Sequence, residues 1–119
     1  MVCASVPQTS YVTNHNVTTQ NVYELVNNLY IDIPTGKRVF IAVGAKKSNP
    51  IGIALCDNNT YAENRVIIQN EVANAQGMVS ATGIYDNGDS SVTTRLYVFM
   101  KSQTSMAIQS RITLSWWYI

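Results

Sequence analysis

The chain has 119 residues, a formal net charge of +1, 46% hydrophobic side chains and only 13% charged ones. That length sets a single domain of common size, able to bury an ordinary core without staples. The near-neutral balance, with its few basic residues scattered, argues against a nucleic-acid partner. No stretch reaches the roughly 18 apolar residues of a membrane-spanning helix, so no membrane insertion is expected.

Residues 1–15 are weakly patterned, hold the sole histidine, His15, and read as an arm before a domain at 16–119. Residues 16–23 alternate Thr and Val and predict an edge strand. Residues 22–28 are the one stretch with helical spacing. They read better as strand or loop, because Leu29, Ile31 and Ile33 continue with an alternation of two. A turn at Pro34-Thr35-Gly36 precedes a strand over 37–45 with Val39, Ile41 and Val43 on one face. After a turn at 46–50, residues 51–56 form a nearly continuous apolar run, as a central strand does. The longest polar loop covers 57–64. Strands follow at 65–72 and 78–85, the second interrupted by Gly83. Asp86-Asn87-Gly88-Asp89 reads as a tight hairpin, since Asn-Gly tolerates positive φ. A strand over 91–101 and a long terminal strand over 105–119 close the chain.

About eight short strands with frequent turns, and no helix long enough for a parallel crossover, predict an all-β fold. The expected architecture is an antiparallel β-sandwich, jelly-roll-like, and because the sequence does not give the strand order, another sandwich or a barrel stays open. Several strands are apolar on both faces: Phe40 opposes Val39 and Ile41, Tyr97 and Phe99 oppose Val98 and Met100, and Trp117 and Ile119 oppose Trp116 and Tyr118. Each sheet of a sandwich needs one buried face. Phe40, Tyr97, Phe99, Trp117 and Ile119 are therefore the expected subunit interface, with loop cover as the plainer alternative. Interfaces between permanent partners are rich in aromatics and poor in charge. The charged share is about half the usual ~25%, so the remaining surface is built from Asn, Ser, Thr and Gln.

Catalytic chemistry finds little support. One histidine and two distant cysteines, Cys3 and Cys56, offer no metal-ligand spacing and no disulfide framework. Asp86, Asn87 and Asp89 bring two carboxylates where calcium asks for six to eight oxygens, so the turn reading prevails. Any Ser or Thr nucleophile would need His15 as its base. No enzyme, metal or cofactor is expected. The Asn16-Val17-Thr18 and Asn58-Asn59-Thr60 sequons are of a kind that chance supplies in a chain rich in Asn and Thr.

Binding is the better-supported role, because loops on a rigid β scaffold carry recognition. Asn58 and Tyr61 in one loop, and Tyr85, Asp86, Asn87 and Asp89 in another, each join an aromatic face to amides and carboxylates. That combination suits a saccharide. The plainer reading is that Asn and Asp are good turn formers.

The segment Gly83-Ile84-Tyr85-Asp86-Asn87-Gly88-Asp89, the threonine-rich strand after it and the closing Ile112-Thr113-Leu114-Ser115-Trp116-Trp117-Tyr118-Ile119 resemble the C-terminal head domains of bacteriophage tail fibres and receptor-binding proteins. The resemblance is one of style over most of the chain, without a shared motif that would carry over a site. It implies a homotrimeric sandwich that binds a bacterial surface glycan or other receptor from the virion. The alternatives are a structural virion protein without a small ligand and a cellular lectin-like module. A fibre head normally follows a shaft, whereas Met1 opens this sequence, so an excised head or a separate small virion protein is expected. Residues 1–4 lack the basic flank and apolar run of an export signal. Extracellular character then implies release with the virion, excision from a larger chain, or a cytoplasmic protein.

Overall fold

The computed structural model describes residues 6–13, 15, 17–46, 49–74, 77–103 and 111–119. Its strands are β1 (Gln8–Val12), β2 (Tyr23–Ile33), β3 (Arg38–Lys46), β4 (Pro50–Cys56), β5 (Val66–Glu71), β6 (Met78–Asp86), β7 (Thr94–Ser102) and β8 (Arg111–Tyr118). One 3-10 turn, Glu63–Arg65, lies between β4 and β5. The strands pair antiparallel in two sheets of four, ordered β1-β8-β3-β6 and β2-β7-β4-β5. Only β4 and β5 are neighbours both in sequence and in a sheet. Every other pair of consecutive strands is split between the two sheets. This strand order is that of a jelly roll, which settles the choice among sandwich and barrel that the sequence left open.

Alternation decides which side chains meet between the sheets. In β3, Val39, Ile41, Val43 and Ala45 are buried, and Phe40, Ala42 and Gly44 turn outward. In β8, Ile112 and Leu114 are fully buried, and Trp116 and Tyr118 extend the same face onto the core. The opposing sheet answers with Ile31, Ile33, Ile53, Leu55, Leu96, Val98 and Met100. Each such side chain contributes roughly 1.5–3 kcal/mol by leaving water. The two tryptophans of Trp116-Trp117 thus do face opposite ways, one inward and one outward.

Four local expectations differ from the fold. The 1–15 arm contains β1, which pairs with β8 from Gln8↔Trp116 to Val12↔Ile112. The described part of the expected 16–23 strand is loop up to Tyr23, where β2 starts. Gly83 does not interrupt β6: it pairs with Ile41, and a Cβ there would lie 2.9 Å from Ile68 Cγ1, so the glycine makes room for β5. Asp86-Asn87-Gly88-Asp89 is not a tight hairpin. β6 and β7 belong to different sheets, and neither Asn87 nor Gly88 has a positive φ. Positive φ falls instead at Asn21, Asn28, Asn49, Gly36 and Gly77. Cys3, Asn16, the 47–48 part of the expected turn and residues 105–110 of the expected terminal strand lie outside the described residues.

Candidate functional site

The two loops singled out as ligand sites do different work. Asn87 is 2% exposed. Its Nδ2 donates to the carbonyls of Ile33 at 2.9 Å, Pro34 at 3.2 Å and Val92 at 3.1 Å, and its Oδ1 accepts from the Thr94 hydroxyl at 3.1 Å. Its backbone N–H donates to Lys37 O, and its carbonyl accepts from Gly36 N and Ser90 N. The N–H, carbonyl and Nδ2 of Asn87 therefore tie the β2–β3 turn to the β6–β7 loop, its Oδ1 holds the start of β7, and none is left for a ligand. Tyr85 faces the core side of β6 and packs against it. Asp86 Oδ1 accepts from Gly88 N at 2.8 Å, and its other oxygen lies 3.8 Å from Arg38 Nε. Asp89 is exposed beside them. In the 57–64 loop, Asn58 Nδ2 donates to Thr60 O, and Asp57 holds Arg65 at 2.6 Å.

Tyr61 leaves that loop to lie over the outer face of β2-β7-β4-β5. Its ring stacks on Tyr23 at 4.4 Å and meets Phe99 edge-on at 5.9 Å. Beneath it Ala54, Cys56 and Phe99 are buried, with Leu25, Val66 and Tyr97 at the margins. This explains the continuous apolar run of β4: one face meets the core, and the other meets this loop. It also fills the second greasy face of β7 from within the chain, so Phe99, expected at a subunit interface, is 2% exposed. Burial pushes the Cys56 thiol above its usual range.

At the rim of this patch a cavity of about 440 Å³ is lined by Asn21, Tyr23, Tyr61, Glu63, Glu71 and Lys101. The Tyr23 hydroxyl donates to Glu71 Oε1 at 2.7 Å, and Lys101 Nζ approaches the same oxygen at 3.4 Å. Burial and then the Glu71 carboxylate raise the Tyr23 phenol, and the Tyr23 bond holds Glu71 below the usual carboxylate range. Gly52 permits the packing: a Cβ there would lie 2.4 Å from the Tyr23 hydroxyl. Tyr61 was legible as a loop aromatic. Tyr23, Glu71 and Lys101 come from three separate strands and carry no local signal.

The outer face of β1-β8-β3-β6 is the opposite case. Phe40 pairs with Trp117 on one side and Ile84 on the other, and the two rings stack at 4.5 Å. Ile84 is 53% exposed and Ile119 56%. Next along the strands come the rows Thr9, Ser115, Ala42, Thr82 and Tyr11, Thr113, Gly44, Ser80. Charge stands only at the two ends, with Arg38 and Asp86 at one and Lys46 and Arg111 at the other. No segment of the described chain lies over this face as Tyr61 lies over the other.

A third feature is a cavity of about 840 Å³ between the edges of β1 and β2, lined by Tyr11, Val12, His15, Thr18, Glu24 and Asn28 among others. Thr18 bonds to Glu24 through its backbone N–H and its hydroxyl. His15 is buried, its Nε2 has no partner, and burial pulls its pKa below the usual histidine value against the pull of Glu24. Among the described residues, no three His, Cys, Asp or Glu side chains gather as a metal site would require.

No family model and no curated protein matches this sequence. Among solved structures it is similar to a subunit of Bacillus endospore appendages, a family of disulfide-linked pili. The match is at 11% identity and a TM-score of 0.52, over 98% of this chain and 90% of that one. At that identity the likeness is one of fold. Other similar structures are the infectious bursal disease virus VP2 subviral particle (11% identity, TM-score 0.47, 96% of this chain and 33% of that one) and the Tobacco streak virus coat protein (11% identity, TM-score 0.39, 93% and 86%).

Proposed function

We propose that this chain is a non-enzymatic structural subunit of a virion, working by association with copies of itself. One observation carries the reading: a sheet face that no described segment covers, uncharged across its middle, that presents the Phe40–Trp117 stack between Ile84 and Ile119. The solvent side of an antiparallel sheet is normally polar. Four strands ~4.8 Å apart, over seven residues of ~3.3 Å, give this face about 400 Å². The apolar part of it is the row of Trp117, Phe40 and Ile84, and the rows beside it are mostly Thr and Ser. The whole face is about half of the ~800 Å² per partner that a stable pair buries. One such contact is too small alone, and a closed ring, in which each subunit lends two surfaces, overcomes that limit. The trimer implied by the resemblance to fibre heads is such a ring.

Sedimentation at micromolar concentration tests this. A multiple of 13.2 kDa is expected, falling toward the single-chain mass in Ile84→Asp and in Trp117→Ala. Ile84 is exposed, so its aspartate variant folds and isolates the effect on association. Wild-type protein sedimenting as single chains throughout would end the proposal.

A second reading, an attachment head for a bacterial surface saccharide, is supported by the cavity beside Tyr23 and Tyr61. It joins aromatic edges to a carboxylate and an ammonium, which suits sugar hydroxyls. A glycan array decides it. Binding lost in Lys101→Ala places the sugar there. Binding lost instead in the Tyr85→Ala, Asp86→Ala double variant moves it to the 85–89 corner. Silence from the wild type removes the reading.

A further inference from the structure

Asn87-Gly88 is the only asparagine in the chain followed by glycine. That dipeptide is chemically reactive because glycine leaves its backbone nitrogen unhindered. The nitrogen attacks Cγ of the asparagine and forms a C–N bond. The Cγ–Nδ2 bond then breaks, and the amide nitrogen leaves as ammonia, its third hydrogen being the one given up by the attacking N–H. Water opens the resulting cyclic imide to aspartate or isoaspartate. The net change is one water consumed, one ammonia released, and an amide made an acid.

The fold blocks this reaction at both partners. Nδ2 of Asn87 is held by three carbonyls, and Oδ1 by the Thr94 hydroxyl, which fixes the side chain in a nearly sealed corner. The attacking N–H of Gly88 is bonded to Asp86 Oδ1 at 2.8 Å. When the corner opens, the bonds to Ile33, Pro34, Gly36 and Lys37 that cross between the two loops go together, and the Asp86–Gly88 bond, local to one loop, is left as a weaker restraint. The product cannot reoccupy the site. An aspartate would point a carboxylate oxygen at the carbonyls of Ile33, Pro34 and Val92, where only a donor fits. Isoaspartate would in addition add an atom to the main chain between Lys37 O and Gly36 N, which Asn87 now bridges.

We propose that Asn87-Gly88 is a spontaneous modification site gated by the closed sandwich. It stays intact while the β2–β3 turn and the β6–β7 loop are joined, and its conversion permanently removes any subunit that has opened. The site lies just past the charged end of the outer sheet face, where Asp86 pairs with Arg38, and does not depend on the assembly reading.

Peptide mass spectrometry tests this on the full chain. Protein is incubated at mildly alkaline pH with and without a denaturing concentration of urea, then dialysed back. Conversion at Asn87 at least tenfold slower in the folded sample is expected, with converted chains absent from the refolded fraction. Asn87→Asp, as a product mimic, is expected to lose the cooperative thermal transition or show it at a much lower temperature. Equal rates in both samples, no conversion in urea, or converted chains that refold with the native transition would each overturn the proposal.

Discussion

Two buried polar side chains define opposite situations at the residue scale. Asn87 has a partner for every donor and acceptor, whereas His15 has a buried Nε2 with none. A buried imidazole held below its unfolded pKa of about 6.5 favours the neutral form in the folded state. The unfolded chain then binds more protons at moderately low pH. The stability that His15 supplies is complete above about pH 6.5 and is lost as pH falls through that value toward the lower folded pKa. Asp32, held down by Arg95, and Glu71, held down by Tyr23, have folded pKa values below the usual carboxylate range, so their stabilisation is lost only at lower pH. Thermal midpoints should therefore fall between about pH 7.5 and pH 5. His15→Gln should flatten that slope, and an unchanged slope in the variant would assign it elsewhere.

The strands and loops show what a sequence of alternating residues can and cannot convey. Period-two patterning by itself places Val39, Ile41 and Val43 inside and Phe40 outside. It separates Trp116 from Trp117 in the same way. It does not say what lies above an outward residue. Phe40 and Phe99 look alike in sequence, yet Tyr61 covers Phe99 and nothing described covers Phe40, because cover depends on where the loop between β4 and β5 returns. The Asn-Gly signal at 87–88 misleads for a related reason. Local turn chemistry does not reveal whether the next strand joins the same sheet or the other one. Tyr61→Ala should expose Phe99 and Ala54 and cost about 2–3 kcal/mol, somewhat less than truncating a fully buried aromatic. A drop in thermal midpoint of about 8–12 °C, read by near-UV circular dichroism, is the expected outcome. A drop of one or two degrees would show that the loop merely rests on the sheet.

At the scale of the whole molecule, one outer face of the sandwich is filled by its own loop, and no described segment covers the other. If assembly fills the second, the folded state is coupled to mass action. The thermal midpoint should then rise with protein concentration in the wild type and stay level in Ile84→Asp, a comparison that differential scanning fluorimetry over a dilution series can make. The mode of growth is also constrained by the rims. β1 has five residues, and β2 loses register between Leu25 and Tyr30, where Asn28 sits at φ 65°. That kink breaks the row of amide and carbonyl groups along which a neighbouring strand would zip. Strand addition along this rim is thereby discouraged, and the same irregularity that looks like a flaw in β2 denies a neighbouring chain a straight edge to pair with.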